Sequence, residues 1–96
     1  MIATLVTFSY TDNFNTEDLR NIAEKVRGKF ENMPGLRSKA FTINAQKQQA
    51  VNFYLWDDEN AARNFFSAQT LEGVTKAYGV RPSVEFMEIA TLVDNS

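Results

Sequence analysis

The hydrophobic positions of this chain form four strand-like segments separated by amphipathic helical stretches. Segments rich in β-branched and aromatic residues predict strands at residues 2–10, 36–44, 50–58 and 81–93. Between them, apolar residues at helical spacing predict one helix that begins after Asn15 and ends before Pro34. After the third strand, shorter helical stretches are expected up to Phe66 and at 71–78, with a break at 67–70. The predicted order of elements is therefore β-α-β-β-α-β.

The third strand, within "AVNFYLWDD" (50–58), is apolar on both of its faces. In an extended chain Val51, Phe53 and Leu55 point one way, because successive side chains alternate between faces. Tyr54 and Trp56 point the other way, together with Asn52. A strand of this kind must be covered on both sides.

This order of elements predicts an α+β fold of the ferredoxin-like type. Right-handed crossovers place the helices on one side of an antiparallel four-stranded sheet. The other side then presents a face on the order of 400 Å² at normal strand spacings. A soluble monomer rarely leaves so large an apolar patch bare. We therefore expect residues 1–96 to form a single domain that makes a homodimer, with two sheets packed face to face as a dimeric α/β barrel.

Composition restricts the classes of partner. The chain has 96 residues and a net charge of −2, so electrostatics offer no reason to bind nucleic acid or an anionic membrane. It contains neither a long apolar run nor a basic segment followed by an apolar one. We expect a cytoplasmic protein without nucleic-acid or membrane partners.

The absence of Cys and His restricts the chemistry. Without them the chain has no thiol nucleophile, no Ser-His-Asp triad, no imidazole-bound zinc and no proximal His for haem. No Gly-rich phosphate loop is present either. We therefore expect no metal site and no cofactor.

Three segments resemble a known family in order and spacing: "MPGLRSKAFT" (33–42), "YLWDDENAARNFF" (54–66) and "GVRPSVEF" (79–86). They are similar to the YdhR-type monooxygenases of the dimeric α/β-barrel superfamily, which includes the antibiotic-biosynthesis monooxygenases. The resemblance implies a barrel made of two sheets, and a pocket between each sheet and its helices or at the barrel interior. The lack of His disfavours the haem-degrading branch of that superfamily. The matching positions are Pro34, Gly35, Lys39, Phe41, Thr42, Tyr54, Trp56, Gly79 and Val80.

Asn52 and Lys39 are the candidate catalytic residues. An amide in a central strand needs a partner. Asn52 would hold an oxyanion or enolate, or else pair with a Thr or Ser across the sheet. Lys39, if it points inward, would act as a base or stabilise an anionic intermediate. If its strand lies at the sheet edge, its charge would instead prevent edge-to-edge pairing, which is the role that we favour.

Four aromatic residues are candidate substrate-binding residues: Tyr54, Trp56, Phe41 and Tyr10. The rings of Tyr54 and Trp56 would stack on an aromatic ligand, and the alternative is that they only pack the dimer interface. Phe41 is included through the family resemblance. Tyr10 ends the first strand and would lie at the pocket rim or on the surface.

The resemblance implies a cofactor-independent monooxygenase that acts on a small hydrophobic aromatic or enolisable compound. In such chemistry the deprotonated substrate reduces dioxygen, and the protein supplies a dry pocket, a proton acceptor and oxyanion donors. Two alternatives remain open at this point. The chain would be a non-catalytic protein that binds a small molecule, or an isomerase or cyclase that uses the same pocket.

Overall fold

The computed structural model describes residues 1–95 as a sheet of four strands with helices on one side. The elements in chain order are β1 (Ile2–Ser9), α1 (Thr16–Val26), β2 (Leu36–Asn44), β3 (Gln49–Trp56), α2 (Glu59–Phe65), α3 (Ala68–Tyr78) and β4 (Ser83–Glu88). A 3-10 turn, Arg27–Lys29, follows α1 directly. All strand pairs are antiparallel, in the order β2-β3-β1-β4. The predicted ferredoxin-like α+β fold is confirmed.

Side-chain caps set where the helices begin. The Asn15 side chain accepts a hydrogen bond from the Asp18 backbone N–H at 3.0 Å, as predicted for the first helix. Asp58 caps α2 in the same way, and Ser67 caps α3. At the other end of α3, Gly79 takes the left-handed conformation that commonly ends helices.

Two predicted boundaries were wrong. The last strand ends at Glu88 rather than at residue 93, because it pairs only with β1, and Glu88 lies opposite Ile2, where β1 begins. Past Glu88, the chain before β1 offers only Met1, whose carbonyl accepts a long hydrogen bond of 3.5 Å from the Ile89 N–H. The segment 67–70 is not a long break, because Ser67 caps a new helix that starts at Ala68.

The pairing of β1 with β3 determines which residues share a face of the sheet. Asn52 lies opposite Val6, Tyr54 opposite Thr4, and Trp56 opposite Ile2. All six are buried, on the face that the helices cover. Tyr54 and Trp56 are therefore part of the core beneath the helices, and the alternative in which they pack a dimer interface through the opposite face of the sheet is wrong.

The opposite face of the sheet carries apolar side chains without helices above them. Leu5 and Val51 are half-buried there, and Phe53 and Met87 are each 37% exposed. In register, Leu5 lies opposite Phe53 on one side and Glu85 on the other. We refer to this surface, formed by Leu5, Val51, Phe53 and Met87, as the open face.

Gly35 permits the tight turn into β2. Its φ of 83° lies in the left-handed region, and its carbonyl accepts a hydrogen bond from the Asp57 N–H at 2.9 Å. A Cβ at this position would lie 2.5 Å from the Cβ of Ala61. Only glycine allows the β2 entrance to approach α2 so closely.

Within residues 1–95, none of the helices is both long enough and apolar enough to cross a membrane.

Candidate active site

A cavity of about 380 Å³ lies between the helix-covered face of the sheet and the inner faces of α1 and α3. Most of its wall is apolar, and includes Val6, Phe30, Phe65, Phe66 and Val74. An open groove of about 880 Å³ runs between α1 and β2. The cavity and the groove share five lining residues, namely Phe30, Lys39, Phe41, Asn52 and Tyr78. The groove therefore offers a route from solvent to the cavity.

The strand register brings the polar residues of this cavity together. On β2, Lys39 lies opposite Tyr54 and Phe41 lies opposite Asn52 of β3. Because side chains alternate along a strand, these four residues point to the same face of the sheet. They form one floor beneath the helices.

Asn52 is only 4% exposed and has a partner from a helix. Its Nδ2 donates a hydrogen bond of 3.2 Å to the Tyr78 hydroxyl. The predicted alternative of a Thr or Ser partner across the sheet is therefore wrong. The Tyr78 hydroxyl accepts this bond and keeps its own proton to donate, and Asn52 keeps a second N–H. The pair can thus offer two hydrogen-bond donors to one acceptor atom of a ligand.

Tyr78 is fixed in this position by two further contacts. Its ring stacks on Phe8, with centroids 3.8 Å apart and planes 9° from parallel. Its backbone carbonyl accepts a hydrogen bond of 2.7 Å from the Tyr10 hydroxyl. Burial raises the pKa of Tyr78, while the hydrogen bond from Asn52 opposes that shift. The phenol therefore stays protonated at neutral pH.

Lys39 lies on the edge strand, as the favoured edge role requires, but its side chain points inward, which is the condition stated for a role as a base. The Nζ atom is 3.3 Å from the centroid of the Phe30 ring, 4.1 Å from that of Phe41 and 4.3 Å from that of Tyr54. Burial lowers the pKa of this amine to about 7, since it disfavours the charged form. The ring faces favour the cation and so act against that shift. Near neutral pH, a substantial fraction of Lys39 is the free amine.

Tyr54 and Trp56 have different positions relative to the cavity. Tyr54 lines it, and burial raises the pKa of its phenol, so that it remains neutral. Trp56 does not line it and lies behind Tyr54, with parallel rings whose centroids are 5.6 Å apart. The Trp56 Nε1 donates a 3.0 Å hydrogen bond to the hydroxyl of buried Thr4. The indole N–H is therefore already satisfied within the core.

Of the six residues predicted for the site, the structure brings four to one cavity: Asn52, Lys39, Tyr54 and Phe41. Trp56 supports that cavity from behind. Tyr10 lies outside it, half-buried, with its ring edge-on to Phe14. Its hydroxyl holds the carboxyl end of α3, so its connection to the site runs through Tyr78.

Tyr78 and Phe30 also line the cavity, although the sequence did not predict either as a site residue. The signal for Tyr78 was its spacing from Leu71 and Val74, which places all three on one side of α3. In the sequence, Phe30 is only one of the apolar residues in the helical stretch between Asn15 and Pro34. Its ring contacts the rings of Phe41 and Tyr54, so it forms the cavity wall nearest to β2.

Within residues 1–95, no group of three or more His, Cys, Asp or Glu side chains is placed to hold a metal ion. The polar side chains that line the cavity carry amide, phenol, amine and hydroxyl groups. These groups are suited to bind and deprotonate an organic ligand.

The fold and the cavity define a class: a ferredoxin-like α+β domain with an apolar ligand cavity between sheet and helices. The family model described as "Putative mono-oxygenase ydhR" matches residues 4–88. The chain belongs to this family. A sequence search of curated proteins returns no match.

Solved structures with the same fold include oxygenases. A monooxygenase from the gene ActVA-Orf6 of Streptomyces coelicolor, in complex with nanaomycin D, is 21% identical, with a TM-score of 0.68 over 99% of this chain and 92% of the other. SnoaB, a cofactor-independent oxygenase from Streptomyces nogalater, is 14% identical, with a TM-score of 0.70 over 96% and 95%. Rv0793 from Mycobacterium tuberculosis is 17% identical, with a TM-score of 0.67 over 99% and 98%. At these identities the likeness establishes the fold.

Proposed function

We propose that this protein is a cofactor-independent monooxygenase that acts on a small hydrophobic aromatic or enolisable compound. The observation that carries the proposal is the presence of the Lys39 amine and the Asn52 amide in one apolar cavity. The first is a base, and the second is a donor for the anion that the base creates. Both are needed when the substrate itself must supply the electrons.

The size and lining of the cavity suit an aromatic substrate. A volume of about 380 Å³ lies at the lower end of the range typical of small-molecule sites. Its walls are mainly aromatic and aliphatic, and aromatic rings attract one another in stacked or edge-on arrangements. Among its few polar groups, Lys39 and Asn52 on the floor and Tyr78 on α3 would orient a phenol or ketone oxygen.

Lys39 is assigned the role of general base. A base works best when its pKa lies near the operating pH, and burial lowers the pKa of Lys39 to about 7. The free amine would take a proton from a phenol, or from a carbon next to a carbonyl group. The resulting ammonium would be stabilised by the three rings around it.

Asn52 and Tyr78 are assigned the role of oxyanion donors. Removal of the substrate proton places negative charge on the substrate oxygen, and donors already in position stabilise that charge without reorganising. The 3.2 Å bond between the two residues fixes their orientation before the substrate arrives. The amide N–H and the phenol O–H would then converge on the same oxygen.

In the proposed reaction, the electron-rich anion transfers electrons to dioxygen, and a carbon–oxygen bond forms. For an anthrone, the CH₂ group becomes a carbonyl group. One oxygen atom of O₂ enters the product, and the other leaves as water with the two hydrogens of the CH₂ group. The reaction needs no reductant besides the substrate.

Two relatives support this choice of chemistry. SnoaB is described as a cofactor-independent oxygenase, and the S. coelicolor monooxygenase was solved with nanaomycin D as its ligand. Both share this fold over almost the whole chain. They support a cofactor-independent monooxygenase whose substrate is a hydrophobic small molecule.

The proposal includes a homodimer formed through the open face. Phe53 and Met87 are both 37% exposed there, and half-buried Leu5 and Val51 lie beside them. A second copy of the same sheet would cover these side chains and leave the cavity on the other face of each sheet accessible.

Oxygen consumption tests the proposal. Chelator-treated, flavin-free protein should consume oxygen in the presence of an anthrone or a polycyclic hydroquinone, faster than the uncatalysed autoxidation. Saturable quenching of Trp56 fluorescence without oxygen uptake or product would instead indicate a binding protein. Conversion to a new product without oxygen uptake would indicate an isomerase or cyclase. Either result would contradict the proposed oxygenase.

A further inference from the structure

The Lys39 amine lies in a region that contains aromatic rings but no counterion. Its Nζ atom contacts the rings of Phe30, Phe41 and Tyr54. Within residues 1–95, Lys39 makes no ion pair. The cations that do make ion pairs there are Arg27, Arg37 and Arg63. The amine is thus available for reaction with a molecule in the cavity.

We infer that Lys39 is a covalent carbonyl-binding site, at which an aromatic aldehyde or ketone in the cavity forms an imine with the side-chain amine. The inference rests on the cavity of the proposed function and on none of its oxygen chemistry. It identifies a second class of ligand, in which a carbonyl carbon is the electrophile.

The step balances without an oxidant or a reductant. The lone pair of Nζ forms a bond with the carbonyl carbon and gives a carbinolamine. The carbonyl oxygen then leaves as water with both hydrogens of the amine, and a carbon–nitrogen double bond remains. The apolar lining favours the imine, because a site with little water opposes the reverse hydrolysis.

Lys39 differs from the other four lysines in its surroundings. Lys25, Lys29, Lys47 and Lys76 are all exposed, whereas Lys39 is mostly buried. Only the neutral amine attacks a carbonyl group, and an ordinary lysine of pKa near 10.4 is neutral to about one part in a thousand near pH 7.4. Burial lowers the pKa of Lys39 to about 7, so a much larger fraction of its amine is neutral at this pH.

The position of the rings selects an aromatic carbonyl compound. An aryl group attached to the carbonyl carbon would lie among Phe30, Phe41 and Tyr54, which already surround Nζ. A small anionic carbonyl compound such as glyoxylate would gain nothing from these rings and would lose hydration on entering. The site should therefore prefer an aromatic carbonyl compound to glyoxylate.

Reductive trapping tests the inference. The full chain is incubated near neutral pH with 2-naphthaldehyde and sodium cyanoborohydride, and a peptide map then locates each naphthylmethyl group. We expect at least about tenfold more label on Lys39 than on any other lysine. Glyoxylate should label Lys39 at least about tenfold less than 2-naphthaldehyde does.

Two variants provide the controls. Lys39→Arg keeps the positive charge and the ring contacts but cannot form an imine, so the preferential label should disappear. Lys47→Arg removes an exposed lysine from the turn between β2 and β3 and should leave the label on Lys39 unchanged. The map of the unsubstituted protein is decisive even if a variant folds poorly. Label spread evenly over the exposed amines, or equal labelling by glyoxylate, would overturn the inference.

The outcomes for the two proposals can be distinguished. Trapping at Lys39 without oxygen uptake would support the carbonyl site and contradict the oxygenase. Oxygen uptake without trapping would support the oxygenase and contradict the carbonyl site, since a base that accepts protons need not attack carbon.

Discussion

Asn52, in the middle of the sheet, donates a hydrogen bond of 3.2 Å to the hydroxyl group of Tyr78, the last residue of α3. The bond joins the floor of the cavity to the helix that closes it. Because the amide is 4% exposed, it has few other ways to satisfy its polar atoms. The orientation of both donors thus depends on the docking of α3 against the sheet.

The first prediction concerns this pair. Asn52→Ala should lower kcat for oxidation of an anthrone by roughly a hundredfold with a small change in KM, because an oxyanion donor matters most in the transition state. Tyr78→Phe, which removes only the hydroxyl group, should act in the same direction. Asn64→Ala, at an exposed position on α2, is the control. Steady-state oxygen consumption measures all three, and an Asn52→Ala enzyme with unchanged kcat would exclude the oxyanion role.

The second prediction concerns the pH dependence of stability. Lys39 has a pKa of about 7 in the fold and its ordinary, higher value in the unfolded chain. Between these values the unfolded state binds more protons, so the free energy of unfolding should rise with pH and fall as pH is lowered towards 7. The slope should be at most about 1.4 kcal/mol per pH unit for this one group.

Lys39→Met should remove this contribution, and Lys47→Met should retain it. Urea denaturation followed by Trp56 fluorescence, at a fixed protein concentration and at about pH 7.5, about 8.5 and about 9.5, measures the slope. The comparison between variants cancels the titration of other groups. Identical slopes in the two variants would mean that Lys39 keeps an ordinary pKa in the fold.

The third prediction separates the two faces of β3. Sedimentation equilibrium at micromolar concentration should report twice the chain mass of 10.9 kDa. Phe53→Asp, on the open face, should give a folded monomer, because it places a charge in the proposed interface. Tyr54→Asp, in the core, should unfold the chain. An unsubstituted protein that sediments as a folded monomer would rule out the dimer.

The fourth prediction concerns the turn before β2. Gly35→Ala combines a left-handed φ with a 2.5 Å approach to Ala61, so it should lower the free energy of unfolding by well over about 1 kcal/mol. Gly79→Ala has the left-handed φ but open space around it, so it should lower the free energy of unfolding by only about 1 kcal/mol. Gly28→Ala has neither feature and should be close to neutral. Thermal or urea unfolding measures the free energy of unfolding of the three variants. Equal decreases for Gly35→Ala and Gly79→Ala would show that the contact with Ala61 relaxes freely.

Much of the fold could be predicted because local signals agreed with one another. The β-branched runs predicted β1 and β2 to within one residue at each end, and the Asn15 cap located the start of α1. The end of β4 could not be predicted, because the length of a strand depends on its partner as well as on its own composition. Here the partner β1 begins at Ile2, opposite Glu88.

The candidate site was harder to predict than the fold. The alternation along β3 correctly grouped Asn52 with Tyr54 and Trp56, but it could not tell which face the helices cover. Tyr78 is distant in sequence from Asn52, and only the packing of α3 brings their polar atoms together. The rings around Lys39 come from its own strand, from β3 and from the segment that follows α1, so the burial that lowers its pKa cannot be predicted from the neighbouring sequence alone.

Isotopic labelling tests the proposed oxygenase most directly. Metal-free, flavin-free protein is incubated with an anthrone under ¹⁸O₂, and the quinone formed in excess of a protein-free control is analysed by mass spectrometry. The proposed mechanism predicts one ¹⁸O atom in each product molecule and a rate that falls in Asn52→Ala in parallel with kcat. Quinone formation no faster than in the protein-free control, or a product whose new oxygen comes from water, would contradict it.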